Sequence, residues 1–479
     1  MPDKIYKGSP NLKAANVEMS FTPEQVQEWI KCADDPVYFT RNYIKIVSLD
    51  EGLVPFKMWD FQEDMINRFH TNRFNIAKLP RQTGKSTTVV SYLLHYAIFN
   101  DNVNIGILAN KLTTSRELLG RLQLAYENLP KWMQQGIVSW NKGSLELENG
   151  SKIMAASTSS SAVRGMSFNI IFLDEFAFVP THIAEQFFSS VYPTISSGKS
   201  TKVIIISTPN GMNMFYKLWH DAERGKNEYV TTEVHWSQVP GRDAKWKEQT
   251  IANTSQRQFT QEFECEFLGS VDTLIAASKL RTMVYDDPIT NNNKGLVVYE
   301  NPQKEHDYII TVDVARGVGS DYSAFLVFDI TKFPYRLVAR YRNNEIKAIM
   351  FPTIITDIAK GYNRAYVLTE VNDIGDQVAS MMHFDLEYDH ILMCAMRGRA
   401  GQIVGTGFSG KKTQLGVKMS KTVKKVGCLN LKTFIEDDKL VIPDYETIAE
   451  LTTFISKRDS FEAEEGCNDD LAMCLVIFC

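Results

Sequence analysis

The stretch Leu79-Pro80-Arg81-Gln82-Thr83-Gly84-Lys85-Ser86-Thr87 (LPRQTGKST) closes as a phosphate-binding loop does, in G-K-S-T, yet has leucine where such loops usually open with glycine. A loop of this kind works because successive backbone N–H groups and a helix N-terminus surround the phosphates while the lysine reaches the β and γ oxygens. The flanks suit that task. FNIAKL, before the loop, is short and apolar, as a buried strand is. KSTTVVSYLLHYAIF, after it, carries apolar residues at helical spacing. Gln82, Thr83, Gly84, Lys85, Ser86 and Thr87 are the expected phosphate contacts, with Ser86 a ligand for Mg²⁺. Pro80 imposes a turn geometry different from the one glycine would give. G-K-S alone is weak evidence, so the decision rests on the segments downstream of the loop.

The alternation continues to about Ser207. VNIGILA, NIIFLDE and KVIIIST read as further buried strands and SRELLGRLQLAYENL as a helix. This predicts an α/β domain with a parallel sheet and helices on both faces. NIIFLDE ends in Asp174, suited to the Mg²⁺ water shell, and Glu175, suited to polarising an attacking water. A solvated turn is the bland alternative for that pair. IIISTPNG puts Ser207 and Thr208 after the next strand, where a γ-phosphate sensor belongs. WDFQEDM offers Gln62, whose amide is expected to pair with adenine, with Phe61 and Trp59 to stack on it. Four elements in the right order predict a working ATP site.

DDPITNNNKGLVVYENPQKEH (residues 286–306) has proline, asparagine and charge without periodicity, as a linker does. The predicted division is therefore 1–285, a linker at 286–306, and 307–479. Beyond it DYIITVDVA, SAFLVFDI, RLVARYR and AYVLTEV resume strand patterns. Asp313 ends one strand, Asp321 opens the next, Glu370 ends another, and Asp469 and Asp470 head an apolar helix. Such residues can converge on two Mg²⁺ or Mn²⁺ ions about 3.5–4 Å apart, which activate water and stabilise the leaving oxygen in phosphodiester cleavage. Hard oxygen ligands select these cations over zinc. Acidic residues at strand ends are common, however, and Asp469 is equally accounted for as an anion favoured by the helix dipole.

Between Ile391 and Val426 there is no Asp or Glu, while Arg397, Arg399, Lys411, Lys412, Lys418, Lys421, Lys424 and Lys425 accumulate. MRGRAGQIVGTGFSGKKT is glycine-rich and aperiodic, and is expected to be a mobile loop that holds the DNA backbone without reading sequence. A solvated charged face is the alternative.

The 479 residues, 44% hydrophobic and 23% charged, are those of an ordinary globular chain with two domains. A formal charge of -5 argues against generic DNA coating, so nucleic-acid contact must rest on a local patch. Seven cysteines without a C-x-x-C pair predict neither a zinc site nor a disulfide framework, but reduced thiols in the cytosol. The longest apolar run, Leu471–Cys479, is far short of a membrane span, and the N-terminus lacks a signal-peptide core.

RQTGKST, FLDE and STPNG, with the flanking IVSWNKGSLELENGSKI and AVRGMSFNIIFLDE, resemble the large terminase subunit of tailed phages, and most of all its T-even type. Loops of that family commonly lack the first glycine. The resemblance implies an ASCE-type P-loop NTPase domain followed by an RNase H-like nuclease domain. It implies ATP-driven packaging of double-stranded viral DNA into procapsids and metal-dependent cutting of concatemers, in the host cytoplasm and outside the mature virion. The implied partners are the small terminase subunit, the portal of the procapsid and further copies of the chain in a ring on it. Arg81 matches a loop arginine at the γ-phosphate. Arg164 matches an inter-subunit arginine finger, a surface arginine being the alternative. Asp313, Glu370 and Asp470 fall on the nuclease Asp, Glu and C-terminal Asp, with Asp470 preferred over Asp469, and Asp321 falls on an auxiliary acid. Two departures are visible. The acidic N-terminal extension is short, and the sequence ends inside the helix expected from Asp470, so a portal-docking tail is expected to be missing. A repair-type helicase-nuclease would need motifs after STPNG that are not found. A nucleotide-gated DNA-binding protein would make the second acidic cluster structural.

Overall fold

Strands that are apolar at every position leave no face for water and have to lie centrally, covered on both sides. That is where the four predicted N-terminal strands are found. The computed structural model describes residues 5–48, 50–158, 167–268, 272–292, 294–315, 322–395, 401–406, 413–457 and 460–479. The chain divides into two units between Leu268 and Gly269.

The strands of the first unit are β1 (Lys45–Ser48), β2 (Gly52–Pro55), β3 (Phe74–Lys78), β4 (Asn104–Ala109), β5 (Ile137–Trp140), β6 (Ser144–Leu147), β7 (Lys152–Ser157), β8 (Ile170–Asp174), β9 (Lys202–Ser207) and β10 (Val230–Glu233). Its helices are α1 (Pro23–Asp34), α2 (Pro36–Tyr43), α3 (Asp60–Thr71), α4 (Lys85–Phe99), α5 (Leu112–Glu127), α6 (Thr181–Ser197), α7 (Met214–Glu223), α8 (Ala244–Asn253) and α9 (Gln256–Glu262). One sheet has the order β10-β3-β9-β8-β4-β7-β6-β5, parallel from β10 to β7 and antiparallel across β6 and β5. The alternation of side chains assigns Ile170 and Phe172 of β8 to one core with Leu93 and Ile107. It assigns Ile171 and Leu173 to the other with Phe187 and Phe215. β9 lies between the loop strand and the acidic strand. The register pairs Lys78 with Ser207 and Asp174 with Ile206, so the three motif-bearing ends share one edge of the sheet. The antiparallel wing arises within IVSWNKGSLELENGSKI, where Asn141 Oδ1 accepts from the N–H groups of Gly143 and Ser144, both at 2.8 Å, and turns the chain.

The second unit contains β11 (Thr290–Asn291), β12 (Leu296–Val298), β13 (Tyr308–Asp313), β14 (Ser323–Asp329), β15 (Tyr335–Asn343), β16 (Tyr366–Thr369), β17 (Leu392–Ala395), β18 (Ile403–Thr406), β19 (Thr413–Leu415), β20 (Leu440–Val441), β21 (Phe454–Lys457) and β22 (Ser460–Ala463). Its helices are α10 (Ala277–Thr282), α11 (Phe351–Gly361), α12 (Gly375–Ser380), α13 (Lys421–Glu436), α14 (Tyr445–Thr453) and α15 (Asp470–Phe478). The main sheet runs β11-β12-β15-β14-β13-β16, with β13 antiparallel to β14 and parallel to β16. Phe351 and Ile355 of α11 pack with Ile310, Val312 and Phe325. Thr311, the alternate residue of β13, donates to the Cys474 carbonyl of α15 at 2.8 Å.

The structure corrects two expectations. Residues 286–306 are not a linker: they carry β11 and β12, which join β15 and so belong to the second unit. The asparagines form the hairpin turn, with Asn292 Oδ1 accepting from Lys294 N–H at 3.1 Å and Leu296 N–H at 3.0 Å. Within residues 396–413, expected as an aperiodic loop, Ile403–Thr406 form β18, and β19 begins at Thr413; both pair antiparallel with β17, and 396–400 and 407–412 lie outside the described residues. All seven cysteines are free, and no helix among the described residues is long and apolar enough to cross a membrane.

Candidate active sites

The first site forms where β3, β8 and β9 end. Gly84 caps α4 in the left-handed region, φ 68°, and a Cβ there would come 2.6 Å from Gln62 Nε2, so only glycine fits. Gln62 is buried beneath the loop, accepting from Trp59 N–H at 2.9 Å and donating to the Thr83 carbonyl at 2.9 Å. Gln62 thus braces the loop backbone through one N–H and one lone pair of its amide. Trp59 and Phe61 lie beside it with ring centroids 5.5 Å apart.

Lys85 Nζ lies 3.0 Å from Glu175 Oε1, an ion-pair distance without hydrogen-bond alignment. Glu175 has φ 49°, rare for a residue with a side chain, and this strain is the kind stored at functional positions. The same carboxylate receives long contacts of 3.4 Å from the Ser207 and Thr208 hydroxyls. Ser86 Oγ is 3.3 Å from both oxygens of Asp174, longer than a good O–H···O bond and a poor substitute for one. Burial first, and Glu175 second, push the Asp174 carboxyl up to about 6, against Lys85 and Ser86. A serine hydroxyl and a desolvated carboxylate are a hard oxygen set that fits Mg²⁺. Thr87 continues the first turn of α4. Arg81 reaches outward to Glu262 of α9, Nη2 to Oε1 3.2 Å. Gln261, next to it, donates to the Pro209 carbonyl at 3.2 Å, so the end of α9 touches both nucleotide-site loops. Arg242, before α8, donates through Nη2 to the loop carbonyls of Arg81 and Gln82, and no motif in the sequence announces α9 or Arg242 as part of this site. Arg164 lies outside the described residues.

The second site forms at the ends of β13 and β16. Asp313 and Glu370 each stand one residue beyond the Val312–Thr369 pair of these parallel strands, and Glu370 N–H donates to the Val312 carbonyl at 2.9 Å. Gly375 is required because a Cβ there would overlap the Glu370 carbonyl. α15 supplies Asp470 in its first turn and is buried from Leu471 to Ile477 against the sheet. Asp313 is held well above the usual carboxylate range by burial, then by Glu370, Asp470 and Asp469. Burial likewise pushes Glu370 up to about 7, with Lys424 of α13 opposing. Asp469 Oδ2 accepts from Ala463 N–H at 3.3 Å. Asp469 and Asp470 both lie close enough to raise Asp313.

Asp313 and Glu370, both desolvated, with Asp470 near enough to raise Asp313, fit a hard divalent cation in their chemistry. Among the described residues, no group of three His, Cys, Asp or Glu side chains closes around an ion-sized point. Asp321 lies outside the described residues, as do Arg397, Arg399, Lys411 and Lys412. A residue without a motif supports this site from below: buried Glu450 of α14, whose Oε2 accepts from Leu471 N–H at 2.7 Å and Ala472 N–H at 3.0 Å. Arg342 Nη2 lies 3.3 Å from its other oxygen.

Residues 76–282 match the family model described as "Terminase large subunit, T4likevirus-type, N-terminal", and residues 310–473 match "Terminase RNaseH-like domain". The chain belongs to the phage large terminase subunits. Among curated members, the large terminase subunits of Thermus virus P23-45 and Thermus phage G20c are each 24% identical over 336 residues, 66% of this chain. The alignment spans 62% of the length of those relatives. The crystal structure of the HK97 bacteriophage large terminase shares the fold over 93% of this chain and 99% of its own, with 13% identity and a TM-score of 0.52. The first unit thus has the ASCE-type NTPase architecture of the large terminases, and the second their RNase H-like architecture.

Proposed function

We propose that this chain is an ATP-driven motor for double-stranded DNA and a metal-dependent endonuclease, packaging viral DNA into procapsids and cutting the concatemer. The observation that carries the reading is the combination, in one chain of this family, of the β3 loop with Asp174 and Glu175, and of Asp313 and Glu370 at the ends of an RNase H-like sheet with Asp470 on the helix against it.

In the first unit the N–H groups of the loop and Lys85 bind the ATP phosphates. Ser86 and Asp174 would hold Mg²⁺, which supplies charge neutralisation on the phosphates. Lys85 Nζ lies 3.0 Å from Glu175 without a hydrogen bond to it, so its ammonium donors are available to the phosphates. Glu175, close to Ser207 and Thr208, would polarise water. Arg81 would approach the γ-phosphate, and Arg164 would act on the nucleotide of a neighbouring subunit in a ring. In the second unit Asp313, Glu370 and Asp470, with Asp321 and Asp469 as auxiliaries, would hold Mg²⁺ or Mn²⁺, which supplies the activated water. Lys418, Lys421, Lys424 and Lys425, at and before the start of α13, offer positive charge to the DNA backbone without base contacts. The small terminase subunit and the portal are the proposed partners, in the cytoplasm of the host.

The test combines plasmid cleavage and strand displacement with the purified chain. Mg²⁺- or Mn²⁺-dependent cutting without displacement of an annealed strand supports the reading. Vigorous ATP-dependent unwinding would show a helicase-nuclease instead, and ATP binding without any cutting would leave a nucleotide-gated DNA-binding protein.

A further inference from the structure

We infer that Arg242 is a positioning residue of the phosphate loop, holding the Arg81 and Gln82 carbonyls outward so that the loop N–H groups face a polyphosphate without the usual first glycine. The inference rests on the ATP-site reading and adds a residue to it.

The loop carbonyls can be accounted for one by one. Pro80 O accepts from Thr83 Oγ1 at 3.1 Å. Arg81 O and Gln82 O accept from the same Arg242 Nη2, at 2.9 and 3.1 Å. Thr83 O accepts from Gln62 at 2.9 Å, and Gly84 O from Thr88 N–H at 3.0 Å. The C=O and N–H of one trans peptide point in opposite directions. A carbonyl fixed on the protein side therefore turns the next residue's N–H toward the ligand side. For Gln82 and Thr83 the fixing donor is Arg242. Gln82 also sits at φ 57°, a conformation that a residue with a side chain keeps only when its surroundings enforce it. Arg242 supplies that enforcement from the segment before α8.

The charge of Arg242 points the same way. Its guanidinium lies over the rings of Trp246, 4.8 Å, and Phe263, 5.5 Å, which hold its plane. Its Nη1 is buried with no acceptor among the described residues, and no carboxylate there forms an ion pair with it. The guanidinium is half-buried, and a partly desolvated cation without a counter-charge is disfavoured. Placed behind a phosphate loop, it gains its counter-charge when the polyphosphate binds. Lysine would lack the planar fork and the stacking.

The experiment measures the Kd of a non-hydrolysable ATP analogue, KM and kcat for ATP, and thermal melting for four full-length proteins: wild type, Arg242→Met, Arg242→Gln and Lys85→Ala. Arg242→Met keeps a stem against Trp246 and Phe263 but removes donors and charge. Its Kd and KM are expected to rise at least about tenfold, with kcat within about threefold and melting near wild type. Arg242→Gln retains an amide donor without charge and should fall between the two; it carries the test if the Met variant does not fold. Wild-type Kd in whichever of these two variants folds, with Lys85→Ala defective, overturns the role of Arg242 and leaves the ATP site standing. Wild-type Kd in Lys85→Ala as well overturns the ATP-site reading itself.

Discussion

Replacing Glu450 with alanine is expected to loosen the first turn of α15 and with it the aim of Asp470. Glu450 Oε2 receives the Leu471 and Ala472 N–H groups at 2.7 and 3.0 Å, the two amides that come after Asp470. Burial and Asp470 push the carboxyl up to about 8, against Arg342 and these amides. Near neutral pH the side chain is thus partly protonated, and glutamine matches that form closely. Alanine leaves two buried donors without an acceptor, each costing about 1–3 kcal/mol. Arg342 keeps a partner in Glu446, Nη1 to Oε2 3.2 Å, so the full cost of a stranded buried charge does not apply. Allowing for water entering the space, about 3 kcal/mol remains, roughly a hundredfold in a local opening equilibrium. Amide hydrogen exchange at Leu471 and Ala472 in the full chain measures this directly. Glu450→Ala should lose about a hundredfold in protection there and most of its DNA cleavage, while Glu450→Gln should stay within about tenfold on both. Unchanged protection in the alanine variant would refute the capping argument.

Glu175→Gln should bind ATP normally but turn over at least about a hundredfold more slowly, the usual loss of a general base; single-turnover hydrolysis checks it. Gly375→Ala should displace Glu370 through the overlap with its carbonyl and abolish plasmid cutting, with phosphate release from ATP unaffected. His95 is buried with Nε2 donating to the Cys32 carbonyl at 2.8 Å, and burial lowers it from 6.5 to about 4. Between those values only the unfolded chain takes the proton, so stability is full above about 6.5 and falls as pH drops toward 4, by about 3 kcal/mol. Melting of His95→Gln across that window should be flatter than wild type.

The motif-bearing strands were legible because burial on both faces writes itself as continuous apolar runs, as in Ile170–Leu173. Asp174 and Glu175 were legible because a charged pair ending such a run has few other places to go. The support that Gln62 gives the loop was not legible, because its side chain closes a turn in its own helix and then reaches the Thr83 carbonyl of a distant segment. Residues 286–306 were misread because a hairpin turn of asparagines shares its composition with a linker, and two short strands give too few positions for periodicity. Arg242 and Glu450 were invisible for another reason: each acts through backbone atoms of a distant segment, and no local pattern encodes such a partner.

The measurement that bears most directly on the central claim runs phosphate release and plasmid nicking side by side on wild type, Asp313→Asn and Lys85→Ala. Asp313→Asn keeps the shape but removes a charge from the metal set, so cutting should collapse while ATP hydrolysis stays within a few-fold of wild type. Lys85→Ala should lose ATP hydrolysis yet nick plasmid with Mg²⁺ or Mn²⁺ at close to the wild-type rate. Wild-type cutting by Asp313→Asn would contradict the account.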